Sequence, residues 1–146
     1  MWRQLYDGGI RDHAIAKIDM NDNIVVNRAT FGAWKIDACP HHGPAISRGG
    51  DWGYHMAWFD GGDKAGLFYG RIDGDAWVSS PAKRFGNANF QAGHPSLLSI
   101  NEKVYLAWKE INESGNYIVL AISEDGGKNW LESKVIKKTD GVSDYP

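Results

Sequence analysis

Tyr54-His55-Met56-Ala57-Trp58 is answered fifty residues later by Val104-Tyr105-Leu106-Ala107-Trp108. Each stretch is short, dominated by aromatic and large apolar side chains, and closed by an indole, with Gly, Asn or Asp nearby. That is the composition of a half-buried strand rather than a helix. Just upstream the prolines keep nearly the same interval: His42-Gly43-Pro44 and Gly93-His94-Pro95 stand 51 residues apart, and Asp144-Tyr145-Pro146 follows after another 51. Behind the first two prolines, Ala45-Ile46-Ser47 answers Ser96-Leu97-Leu98. A partial earlier copy is visible as well: Tyr6-Asp7-Gly8-Gly9 answers Phe59-Asp60-Gly61-Gly62, and Ala16-Lys17-Ile18-Asp19 answers Gly70-Arg71-Ile72-Asp73.

A period of this length holds about four short strands, and four-stranded units repeated at 40–50 residues read as the blades of a β-propeller. The spacing therefore predicts an all-β, partial β-propeller of about three four-stranded antiparallel blades within one domain. Residues 1–40 form an incomplete blade without its first strand, 41–91 and 92–142 form two further blades, and 143–146 open the next strand. A β-sandwich is the competing architecture, but it does not by itself explain a sequence period one sheet long.

The totals agree with a packed β protein. Of 146 residues, 42% are hydrophobic, and the 7 Trp and 18 Gly combine large flat side chains with abundant turn formers. A net charge of -2, from 16 basic and 18 acidic residues, offers no electrostatic footprint for nucleic acid or an anionic membrane. No stretch approaches the roughly 18 apolar residues that span a bilayer. The N-terminus lacks the apolar core of a signal peptide, so the chain as given reads as soluble and cytoplasmic, while any leader of a longer parent would lie outside it. The single Cys39 cannot form an intrachain disulfide and leaves the redox compartment open.

Ser123-Glu124-Asp125-Gly126-Gly127-Lys128-Asn129-Trp130 fits the pattern Ser-x-Asp-x-Gly-x-x-Trp. A short acidic side chain there accepts backbone N–H groups in a tight turn, Gly supplies a positive φ, and Trp packs the hairpin onto its sheet. Arg71-Ile72-Asp73-Gly74-Asp75-Ala76-Trp77 is a shortened version. With the repeat around it, this motif resembles the Asp-box of BNR repeats. The segments Leu5–Asp12, Trp34–Pro40 and His42–Ala45 resemble the later blades of bacterial sialidase-like propellers. The resemblance implies a ring of six blades, of which this chain would hold roughly half, so two chains are expected to associate as a homodimer or higher homo-oligomer. It also assigns Ser123, Asp125, Gly127 and Trp130 structural roles.

Ligands of such propellers bind at the end carrying the connections between blades and between the second and third strands. Sorting by repeat position puts Cys39, His41, His42, Gln91, His94, Asp144 and Tyr145 on the first set of connections. Asp7, Arg11, Asp12, His13, Asp60, Asp63, Lys64, Lys109, Glu110 and Glu113 fall on the second. Sialidase chemistry needs three arginines for the sugar carboxylate, a Tyr nucleophile and a carboxylic acid that protonates the leaving oxygen. Arg11, Asp12 as acid and Tyr145 as nucleophile are the candidates, yet of six arginines only Arg11 falls on that end. His41, His42 and His94 with Asp144 are of the type that binds zinc, but adjacent histidines without compact ligand spacing read as loop residues, so no metal or other cofactor is expected. Cys39 reads as a structural thiol, and Gly8-Gly9 and Gly61-Gly62 lack the spacing of a phosphate loop.

The expectation is thus a sialidase-like module that binds a carbohydrate, another polar ligand or a protein partner. Asp7, His13, His41, His42, Asp60, His94, Glu110 and Asp144 would supply the polar contacts, and Trp52, Tyr54 and Tyr145 the aromatic platforms. The alternatives are a glycoside hydrolase active only as an assembled multi-chain propeller and a purely structural interaction module.

Overall fold

Alternation of bulky and small residues along Gly53–Asp60 and Lys103–Asn112 gives each strand two apolar faces, so each must be covered on both sides. The computed structural model describes residues 1–37, 41–75 and 77–139; Cys39, Asp144 and Tyr145 lie outside them. Eleven strands are present among the described residues: β1 (Trp2–Tyr6), β2 (Ile10–Ile18), β3 (Ile24–Arg28), β4 (Ala45–Gly49), β5 (Gly53–Asp60), β6 (Gly66–Asp73), β7 (Lys83–Phe85), β8 (Gln91–Ile100), β9 (Lys103–Asn112), β10 (Gly115–Ser123) and β11 (Lys134–Thr139). Among the described residues the only helical segments are two single 3-10 turns, Asp7–Gly9 and Gly50–Trp52. The protein is all-β.

The strands form three antiparallel meanders in chain order: β1-β2-β3, β4-β5-β6-β7 and β8-β9-β10-β11. They stack in sequence, and no closed ring is formed among the described residues. Three sheets are one more than a sandwich contains. One core cluster lies between the first and second sheets, with Ile15 and Ala29 meeting Met56, Trp58 and Ile72. The other joins Ala57, Leu67, Tyr69 and Phe85 of the second sheet to Leu106, Trp108, Val119 and Ala121 of the third.

Because side chains alternate along a strand, the register assigns each to a face. On the second sheet Met56 and Trp58 point toward the preceding sheet, and Ala57 and Tyr69 toward the following one. We call these the front and rear faces. Trp58 and Trp108 are both front-face residues, each buried against the sheet before it. The cross-strand partner of Met56, the front-face neighbour of Trp58, is Gly70. A Cβ there would approach the Trp58 ring to 3.2 Å, so the small residue makes room for the indole. Trp2, paired with Ala14, occupies the front face of the first sheet and is exposed. The sequence match of Tyr6 with Phe59 does not carry through to the faces. Tyr6 lies on the front face beside Trp2, whereas Phe59 lies on the rear face, because the first hairpin turns in three residues and extends further.

One end of the stack is closed by carboxylate turns. Asp125 accepts N–H groups from Lys128 (3.1 Å) and Asn129 (2.8 Å), the Asn129 side-chain amide (2.7 Å) and the Ser123 hydroxyl (2.8 Å). These bonds hold its carboxyl down at about 2. Gly126 and Gly127 supply φ of 69° and 79°. Asp19 makes the same kind of turn in the first sheet, accepting from Asn21 N, Asn23 N and the Asn23 side chain. Asp73 accepts from Asp75 N in the second.

Pro95 falls inside β8, not before it. Pairing with β9 breaks between Gly93 and Ser96, and His94 at φ 52° absorbs the bulge, so the missing N–H of the proline costs no ladder bond.

Candidate functional site

The opposite end carries the β1–β2 and β5–β6 turns, the connection that follows β3 and the short 86–90 connection between β7 and β8. Its organiser is Arg3, which sequence reasoning did not single out. Arg3 projects from the rear face of the first sheet and donates to the carbonyls of Arg11 (3.1 Å), His42 (3.1 Å) and Phe59 (2.9 Å). Its guanidinium lies 5.0 Å above the Trp34 ring. Burial lowers its pKa, while Asp60 and Asp12 act in the other direction. One cation thus joins the first sheet to the second through backbone carbonyls.

The candidate acids are occupied. Asp12 lies within β2 rather than a loop, is 0% exposed, and is ion-paired with Arg28. It also accepts from Arg28 Nε (3.1 Å) and Ala33 N (3.1 Å). Arg28 is in turn held over the rings of Tyr6 and Phe31. The carboxylate expected to serve as an acid is thus engaged by Arg28 and the Ala33 N–H inside the sheet. Glu110, in β9, is buried and accepts from the Trp108 indole (2.8 Å) and Asn87 N (2.9 Å), so it anchors the 86–90 connection instead of facing a ligand. Arg11 is also in β2; its N–H donates to Trp34 O at 2.7 Å.

His13 and His42 are packing groups whose pKa values burial lowers. His13 is 1% exposed and paired with Thr30 Oγ1 at 3.1 Å; burial, then Arg3, drops its pKa to about 3. His42 stacks on Phe59 (centroids 4.3 Å apart) and against His94 (4.6 Å). Burial first, then His94 and Arg3, lowers it to about 4. Gly93 makes room for it: a Cβ there would lie 2.4 Å from the imidazole. His41 and Asp7 are exposed. Among the described residues no group of three or more His, Cys, Asp or Glu is arranged to hold a metal ion. Trp52 and Tyr54 lie at the other end, where Trp52 O receives the N–H of Gly74, so they are not platforms for this site.

What this region does offer is a cleft of about 1360 Å³ between residues 29–35 of the first sheet's connection and the second sheet. Trp34, Trp58, Phe68 and Trp77 form its apolar walls, and Asp60, Asp63 and Lys64 its polar lip. Two glycines let the walls approach. A Cβ on Gly32 would lie 1.7 Å from Asp60 Oδ2, and one on Gly61 would lie 2.4 Å from the Trp34 ring. Asp60 also accepts the N–H of Gly62 at 2.9 Å, fixing the turn that carries Asp63 and Lys64. Among the described residues, Asp60 is the expected polar contact that lines this cleft, beside Asp63 and Lys64 from the same repeat position, and the four aromatic walls were not foreseen. Trp58 and Trp77 carried sequence signals, as the indole closing the repeat and the end of the shortened turn motif, but signals of fold rather than of a cleft.

No family model matches the chain, and neither a curated protein nor a solved structure matches it.

Proposed function

We propose that the chain is a propeller-type, sialidase-like binding module that takes an extended polar ligand, carbohydrate foremost, in the cleft between its first two sheets. The observation that carries this reading is the pairing of aromatic walls with a carboxylate-and-amine lip. Flat rings stack on the apolar faces of sugar rings, while Asp63 and Lys64 are free to bond hydroxyls. A volume of about 1360 Å³ exceeds the common range for small-molecule pockets, which suits several linked sugar units. Binding without turnover is the simpler function, because Asp12 and Glu110 are both committed to structural bonds.

A glycan-binding screen followed by titration calorimetry tests it, with Trp77→Ala and Lys64→Ala alongside the parent protein. The expected result is binding of an oligosaccharide that Trp77→Ala weakens at least tenfold while the circular dichroism stays unchanged. Binding unaffected by both substitutions would remove the cleft from the argument. Hydrolysis of a fluorogenic sialoside would replace the binding module with an enzyme.

A further inference from the structure

Both internal contacts in the stack join a rear face to a front face: first sheet to second, second to third. The same two kinds of face are left over at its ends. The front face of the first sheet presents Trp2, Ile18, Ile24 and Val26, all exposed. The rear face of the third presents exposed Leu98 and Ile100 with Tyr105, Ala107 and Leu120 beside them. The correspondence is positional. Trp2 stands on the face and strand where Trp58 and Trp108 meet their preceding sheets, and Ala107 stands where Ala57 meets its following one.

The surface area points the same way. The chain exposes 8720 Å², whereas a globular monomer of 16.2 kDa is expected to expose roughly 7,450 Å². The surplus of roughly 1,300 Å² approaches what one copy loses when two faces are covered at about 800 Å² each. We infer that the chain associates with a second copy of itself head to tail, the front face of one first sheet seated on the rear face of the other's third sheet. The contact is heterologous, repeating between molecules the packing already present within one.

Light scattering coupled to size exclusion tests this on the full chain with two variants at exposed positions, Val26→Glu on the front face and Leu98→Glu on the rear face. The parent protein is expected at two or more times 16.2 kDa. Each variant alone, shown to be folded by its thermal melt, is expected as a monomer. Mixing the two is expected to restore a dimer, since each contributes the face the other lacks. If Val26→Glu fails to fold, Ile24→Glu takes its place. A monomeric parent protein overturns the inference and leaves the faces to further sheets of a longer chain or to another partner. A mixture that stays monomeric overturns it too, as does one variant that still associates alone, which would mean a face pairing with itself.

Discussion

Lowering the pH from 7 to 5 tests how firmly the end carrying Arg3 excludes water. His13 is 1% exposed, faces Thr30, and titrates at about 3 in the folded chain against 6.5 in an unfolded one. Below 6.5 the unfolded chain takes up a proton that the folded chain refuses, so stability falls with pH, and the loss continues until about 3. For this one group the linkage amounts to about 2 kcal/mol between pH 7 and pH 5. His42 and His55, both lowered to about 4, act in the same direction; His42 is only half-buried, whereas His55 is 1% exposed and bonded to Tyr69 Oη. Urea unfolding at pH 7, 6 and 5, on the parent protein and on His13→Gln, isolates the His13 share. The variant is expected to lose about 2 kcal/mol less over that interval. Parallel pH profiles for the two proteins, or a His13 ring resonance that titrates above pH 5, would refute the reasoning.

Gly127→Ala combines a φ of 79° with a Cβ placed 1.8 Å from Tyr69 Oη across the contact between the second and third sheets. It is expected to cost about 2 kcal/mol or more, read from the urea midpoint. Tyr69→Phe in the same chain should return part of that loss in a double-mutant cycle, because it removes the clashing oxygen. Asp12→Asn leaves Arg28 without its carboxylate and is expected to cost about 2 kcal/mol in the same assay, below the roughly 3–5 kcal/mol of a fully buried pair because Arg28 is 30% exposed. Ligand binding in the cleft by the folded fraction should be unchanged.

The strand character was legible because Tyr54–Trp58 and Val104–Trp108 carry it in composition alone. The chemistry of the site was much less so. Arg11, Asp12 and His13 resemble loop residues when the first hairpin is aligned on its glycines, but the turn is over by Gly9 and all three continue into β2. Whether a carboxylate is free depends on partners distant in sequence: Asp12 is held by Arg28 and Ala33, and Glu110 by Asn87 and its own neighbour Trp108. Arg3 left no trace in any motif because it bonds backbone carbonyls, which every residue has. The cleft escaped notice for a related reason, since its walls come from segments whose meeting depends on Gly32 and Gly61, and a glycine in a sequence does not say what will press against it.

The interlocking of the sheets also governs how the chain emerges during synthesis. When Phe85 has left the ribosome, the second sheet has all its strands but not the cover for Ala57, Leu67 and Tyr69, which waits on Leu106, Trp108 and finally Trp130, whose ring comes to lie 4.8 Å from both Tyr69 and Phe85. For about 45 residues of elongation that apolar surface faces solvent or a chaperone. A chain interrupted in that interval leaves a sticky intermediate rather than a smaller working protein.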